Sequence, residues 1–498
     1  MLTPLVTQTT AAQAPSTEKD PWPALFALVV GFFMIMVDTT ITAVATPAII
    51  KDLNASVTSV VWVTSAYLLA YAVPVLITGR LGDRYGPKNL YIIGLTVFTA
   101  ASLWCGLTTT VGALIVARVV QGLGASMITP QTMAIITRIF PAERRGKATA
   151  LWGATAGVAL VVGPLLGGIL VDWQGWQWIF YVNIPVGVIA LAMAVRLLPK
   201  LDNRSHHFDW LGVVLSGIAM FGIVFGIQEG HDYHWGKVTG FISVPLFIIG
   251  GLLFGAVFVL WQARGAAEPL VPLSLFRERN FSLSNVGIMA ISFSFTAMGF
   301  PLMIWAQVVR GLSPTHAAMM MLPLAIMSIV LAPKVGQLTD RIHPSLIVGT
   351  GFAGVILGFV SLSLLMNPHR SLFILAIPMA IMGAGSAGVW APLTATATRG
   401  LPMSLAGAGA GVYNAARQIG AVLGSAAIAV LMDSRLAAHG LDQDLSKLQQ
   451  LKPTPAQLEA FHQHFSDSMA QSLLLPPAIL VLGLAAVLFY RKLPTPTA

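Results

Sequence analysis

The chain has 498 residues, of which 56% are hydrophobic and only 9% charged, against the roughly 25% charged of an ordinary soluble domain. Water is therefore not its main solvent, and the formal charge of +9 sits on no soluble basic domain that could hold nucleic acid. Its one cysteine, Cys105, can form no intrachain disulfide.

Residues 1–23 form a polar tail rich in Thr, Ala and Pro, without the basic start of a signal peptide. The first apolar run holds a cleavage-like Ala43-Val44-Ala45, but it is long and carries Asp38, which predicts an uncleaved first helix. Apolar runs of bilayer-crossing length, roughly 20 residues, then recur to Tyr490. They predict fourteen spans: 24–46, 58–79, 89–108, 111–133, 148–171, 176–199, 209–228, 240–262, 282–306, 314–333, 345–366, 371–398, 407–432 and 469–490. The expected product is an all-α polytopic membrane protein in a lipid bilayer, with both termini on one side. About nineteen Lys and Arg fall on the side of the termini and about seven on the other, so the positive-inside rule makes the termini cytoplasmic.

A repeated segment organises the spans. Gly79-Arg80-Leu81-Gly82-Asp83-Arg84 follows span 2, and Gly336-Gln337-Leu338-Thr339-Asp340-Arg341 follows span 10, both reading as loops and sharing G-x-L-x-D-R. That register pairs spans 1–6 with spans 9–14. It predicts a bundle over 24–205, an inserted helix pair over 206–265, an interfacial connector over 266–281 and a second bundle over 282–498. Span 5 carries Gly153-x-x-x-Gly157 and Gly163-x-x-x-Gly167, and span 13 carries Gly407-x-x-x-Gly411 and Gly420-x-x-x-Gly424, spacings that let helices approach closely in lipid. In the external segment 433–468, Thr454-Pro455-Ala456-Gln457 has the pattern of a helix start.

Three ionisable residues lie deep within spans, Asp38, Arg118 and Arg417, where charge costs about 2.5–3.5 kcal/mol on insertion scales. Asp38 is the only acid among them, so a proton carried by a membrane-embedded carboxylate would ride on it; a fixed ion pair or a helix cap is the structural alternative. Arg118, just before Gln121-Gly122, is either an electrostatic switch for that carboxylate or a pin for nearby carbonyls. Arg417, after Asn414, serves structural hydrogen bonding or a cavity. Gly79 to Lys88 reads as a gating latch, with Asp83 free to meet Arg84, Arg138, Arg144 or Arg145, or as a solvated turn. Gly157 to Gly168, with Pro164 inside a lipid-buried helix, predicts a hinge or a tight seal. Trp62, Gln121, Asn414 and Arg417 join Asp38 as candidate cavity residues. The many methionines, Met319-Met320-Met321 among them, and the aromatic Phe293, Phe295 and Trp305 suit either an adaptable apolar pocket or lipid-facing packing.

The segments Asp38-Thr39-Thr40 to Pro47, Gly79 to Lys88, Arg118 to Gly124, Gly157 to Gly168 and Trp176 to Gly187 together resemble the fourteen-span drug:proton antiporters of the major facilitator superfamily. The resemblance covers nearly the whole chain, although Pro87 stands where the loop motif usually has a basic residue. It implies a major facilitator fold, two six-helix bundles plus two inserted helices, in a bacterial inner membrane. It also implies a drug-like small-molecule substrate exported against protons, with Asp38 and Arg118 in proton coupling, Asp83 in gating, and the Gly-Pro helix in exchange. No cofactor, metal or obligate protein partner is expected: neither a phosphate-binding loop nor a His/Cys metal cluster is visible, which argues against an enzyme or primary pump. Export of an endogenous lipid or metabolite is the rival reading, and a nutrient symporter a more distant one.

Overall fold

A computed structural model describes residues 20–201, 209–230, 233–239, 242–265, 269–339, 342–401, 405–441 and 454–491. Asp340 and Arg341 lie outside the described residues, as do Asp83 and Gly157 beyond their backbone. The first bundle comprises α1 (Trp22–Leu53), α2 (Val57–Ala72), α3 (Val75–Tyr85), α4 (Pro87–Leu107), α5 (Val111–Ile139), α6 (Ala142–Gln174), the short α7 (Trp178–Tyr181) and α8 (Asn183–Leu197). An inserted pair follows, α9 (Trp210–Gln228) and α10 (Val244–Arg264), joined through a small antiparallel hairpin, β1 (Lys237–Thr239) and β2 (Ile242–Ser243). The second bundle comprises α11 (Arg279–Val308), α12 (Pro314–Met319), α13 (Leu322–Thr339), α14 (Pro344–Leu365), α15 (Leu372–Ala387), α16 (Trp390–Arg399), α17 (Ala406–Ala438), α18 (Pro455–Ser472) and α19 (Leu475–Leu488).

Among the described residues twelve helices are long and apolar enough to cross a membrane. The other two predicted spans fall on the shorter α2 with α3 and on the 33-residue α6. Several spans are built of two pieces, and proline sits at three of the breaks, Pro323 at the second residue of α13 being one. Pro74 separates α2 from α3, and Pro476 and Pro477 open α19, because a proline ring removes one helical N–H and crowds the preceding turn.

Two expectations need correction. The G-x-L-x-D-R segments are helical: Gly79 to Arg84 lie on α3, and Gly336 to Thr339 on the last turn of α13. Hydropathy locates where the apolar run stops, whereas α3 continues through polar residues until Gly86, whose φ of 91° is a conformation that favours glycine. The external segment 433–468 opens inside a helix instead of at a loop, since α17 runs to Ala438, while the helix start expected at Thr454 is present: α18 begins at Pro455 behind a complete Thr454–Gln457 capping box.

The two bundles pack by the same scheme. α1 lies against α6 and α8 as α11 lies against α17 and α19, α4 pairs with α5 as α14 with α15, and α2 meets α5 as α13 meets α15. Glycines set the spacing. A Cβ at Gly163 would lie 3.1 Å from the Val37 carbonyl oxygen, and one at Gly167 3.2 Å from that of Ile41; Gly420 and Gly424 face the carbonyls of Met289 and Phe293, each at 2.3 Å. Both i,i+4 pairs thus press one helix onto the backbone of their bundle's first helix.

Between bundles, α2 meets α17 and α6 meets α12. The described contacts include Ser65 Oγ with Ser425 Oγ at 2.8 Å, Gln307 Nε2 donating to the Val44 carbonyl at 3.0 Å, and Thr315 N donating to Asp172 Oδ2 at 3.0 Å. All three lie in the halves of the helices that the sequence assigns to the outer side. Gly424→Ala should push α17 off α11 and cost about 1–3 kcal/mol, while Gly411→Ala, with nothing within 4 Å of its added Cβ, should be tolerated; thermal unfolding in detergent compares them.

Candidate functional site

Asp38 lies midway along α1, and both its side chain and that of Arg118 on α5 are fully buried. Arg118 Nη1 donates to Asp38 Oδ2 at 2.5 Å and to Gln121 Oε1 at 2.7 Å, and Nε donates to the Val63 carbonyl at 3.1 Å. The guanidinium lies 4.0 Å from the centroid of the Tyr67 ring on α2, a cation–π contact that supports a charge without hydrogen-bonding it. Asp38 Oδ1 accepts from Gln121 Nε2 and Asn183 Nδ2, each at 2.9 Å. A buried ion pair persists only when its remaining lone pairs and protons are also answered, and here both carboxylate oxygens are. Arg118 Nη2 is the exception, buried without a hydrogen-bond partner.

Ser102 on α4 completes the cluster. Its hydroxyl donates to the Phe180 carbonyl at 2.9 Å and accepts from Gln121 Nε2 at 3.2 Å and Asn183 Nδ2 at 2.9 Å. Cys105 Sγ lies 3.5 Å from Gln121 Oε1. Five helices, α1, α2, α4, α5 and α8, therefore converge on one carboxylate.

Of the residues proposed from sequence, Asp38, Arg118 and Gln121 come together. Arg417, on α17 of the other bundle, reaches to within 3.2 Å of Met36 Sδ, two residues from Asp38, and Asn414 bonds back to the Ala410 carbonyl of its own helix. Trp62 turns toward the inserted pair, its indole N–H donating to the Glu229 carboxylate and its ring 6.2 Å from that of Phe225. Gly79 packs near Pro130, Gly336 faces open space, and the Arg84 guanidinium stacks beside Tyr85. α6 runs unbroken through Pro164, and Gly168 meets the backbone of Pro314 and Thr315. Asn183, Ser102 and Tyr67 were not singled out as site residues. Asn183 had a signal, its place in the Trp176–Gly187 segment, whereas a serine or tyrosine inside an apolar run has none.

A family-wide sequence profile described as Major Facilitator Superfamily matches residues 28–425. The chain belongs to that superfamily. This superfamily member is 52% identical over 482 residues to an uncharacterized MFS-type transporter of Mycobacterium tuberculosis, across 96% of this chain and 82% of that one. It is 34% identical over 422 residues to the tetracenomycin C resistance and export protein of Streptomyces glaucescens, across 84% and 77%. Its fold matches that of a bacterial homologue of the human lysosomal transporter Spinster, crystallised inward-facing and unoccupied, with a TM-score of 0.64 at 17% identity over 94% of this chain and 97% of that one. The chain is thus a multi-pass membrane transporter and not an enzyme.

Removing one partner of a buried ion pair leaves the other uncompensated, at a cost of about 3–5 kcal/mol. Arg118→Leu should therefore destabilise this transporter by that order, and the double variant Arg118→Leu with Asp38→Asn should recover part of the loss; thermal unfolding of the three variants at neutral pH in detergent measures the difference.

Proposed function

We propose that this transporter is a proton-coupled antiporter that exports drug-like small molecules by alternating access from a bacterial inner membrane, with both termini cytoplasmic. The observation that carries the reading is the fully buried Asp38 paired with Arg118 beside the contact between the bundles. When Asp38 takes a proton, the charge that ties α1 to α5 is cancelled. Arg118 keeps the Val63 carbonyl, Gln121 and the Tyr67 ring, so α1 is the freed element.

α1 also carries the surfaces that would transmit the change. Val37 and Ile41 seat the α6 glycines, Val44 receives Gln307 from α11, and Met36 meets Arg417 from α17. Loading and unloading one proton at Asp38 would thus bias the outer contacts between bundles, with substrate and proton moving in opposite directions. No cofactor is required: a membrane potential of roughly 150 mV supplies ~3.5 kcal/mol per charge, about two and a half decades of concentration. The export of tetracenomycin C named for the Streptomyces relative supports an organic small molecule as cargo. One deep acid suits a neutral, zwitterionic or monocationic compound and a single coupling proton.

The test is efflux of a panel of dyes and antibiotics from expressing cells, with and without a protonophore, beside Asp38→Asn. Exclusion of some compounds, lost with protonophore and with Asp38→Asn, is expected. Export that survives both overturns proton coupling through Asp38. If no panel compound is exported by protein that reaches the membrane, an endogenous lipid or metabolite becomes the substrate. For an exported compound, proton release on binding to the purified protein should approach one per molecule, and a value well above one overturns the single-proton reading.

A further inference from the structure

Asn183 is buried at the first turn of α8 and belongs to neither residue of the ion pair, yet its amide nitrogen touches two members of the cluster. The segment before it is tied down at several points. Trp176 Nε1 and Gln177 Nε2 donate to Asp52 Oδ2 near the end of α1 at 2.7 and 3.2 Å, and Tyr181 Oη donates to the Gly106 carbonyl on α4 at 2.7 Å. One turn on, a Cβ at Gly187 would collide with Thr99 on α4. Residues 176–187 therefore form a bracket across α1 and α4, and Asn183 is the polar side chain it delivers to Asp38.

The hydrogen-bond directions are determined. The Ser102 hydroxyl spends its proton on the Phe180 carbonyl, so toward Gln121 and Asn183 it can only accept. Gln121 Oε1 faces Arg118, which turns its amide nitrogen to Asp38. Both amides thus present N–H to Oδ1 while the guanidinium presents N–H to Oδ2. A proton on either oxygen would meet donors in place of acceptors.

Among the described residues, the charged or titratable groups facing Asp38 are Arg118 on α5, Tyr67 on α2 and Cys105 on α4. α6, α8 and α11 carry their charged residues only near their ends, and Arg417 of α17 stops at Met36.

We propose that Asn183 is a positioning residue that holds Asp38 in its ionised, Arg118-paired form, and so sets the pH at which the transporter loads its proton. This rests on the proton-coupling reading of Asp38. Hydrogen bonds to a charged form favour that form, so removing the Asn183 donor makes protonation easier and moves the loading midpoint upward. A hydrogen bond to a charged group corresponds to about one to two pH units.

The test is an infrared pH titration of the protonated-carboxyl band of Asp38 in the purified full-length protein, identified by its disappearance in Asp38→Asn. Asn183→Leu, close in shape without the donor, should raise the midpoint by about one to two units. Asn183→Ser should fall between it and the unaltered protein, and serves alone if the leucine variant does not fold. Trp176→Phe, which loosens the bracket but leaves the amide, should lower thermal stability with the midpoint unmoved. A folded Asn183 variant with an unshifted midpoint overturns the proposal, as does a wild-type protein whose Asp38 band shows no titration midpoint at any pH at which it stays folded. Efflux by the same variants separates the two readings. If Asp38→Asn still transports against a protonophore, the proton-coupling reading fails; if Asp38→Asn is inert while Asn183→Leu keeps the unaltered pH profile, only the role of Asn183 fails.

Discussion

A carboxylate buried in the middle of a helix bundle has to be neutralised and hydrogen-bonded where it stands, because neither water nor lipid can answer it. In this protein that requirement falls on Asp38, and meeting it recruits a guanidinium from α5, two amides from α5 and α8, and an orienting hydroxyl from α4. The Tyr67 ring from α2 supports the guanidinium's face. The spatial order of the first bundle is inseparable from this arrangement. α1 cannot rotate or slide by a residue without breaking the ion pair, and the same register seats Val37 and Ile41 against the α6 glycines.

The second bundle shows what the first looks like without that constraint. Gly420 faces Met289 as Gly163 faces Val37, so the position equivalent to Asp38 is Ala290. That alanine packs against Gly483 of α19, and no ion pair stands between α11 and its neighbours among the described residues. Two bundles of one packing scheme therefore divide the work: one carries the charged centre and the other presents apolar and hydroxyl surfaces to it. Among the described residues Arg417 is the second bundle's single deep charge, and it points toward α1.

Polar side chains also fix the inserted pair. At one end Asp209 caps α9 through Gly212 N and accepts from Trp261 and Gln262 of α10, while Gln262 in turn accepts from Val271 N of the connector. At the other end Glu229 accepts from Trp62 of α2. Between these anchors the pair packs by close approach, with Gly222 and Gly226 of α9 against α10. Ile249, Leu252, Leu253 and Leu260 of α10 remain exposed, as suits a helix bordered by hydrocarbon. Because α9 packs on both α2 and α17, the pair lies beside the seam between bundles.

Much of this was legible from the residues in order. Apolar run length located the helices, since the bilayer sets a minimum that composition alone reveals. The repeated G-x-L-x-D-R and the glycine pairs gave the correspondence between bundles, and the cost of burying charge singled out Asp38, Arg118 and Arg417. What hydropathy could not show was where a helix ends once it leaves the apolar zone, so the segments at 79–84 and 336–339 read as loops though they are helical. Nor could it show which uncharged side chain faces which charge. Asn183 lies 145 residues from Asp38, Ser102 lies 64 away, and the direction each points is fixed by helix packing that no local pattern encodes. The sequence by itself therefore determined that a membrane transporter would bury an acid and a base; only the tertiary structure decided that they pair, and with which donors, because a hydrogen bond between helices depends on distance and angle rather than on composition.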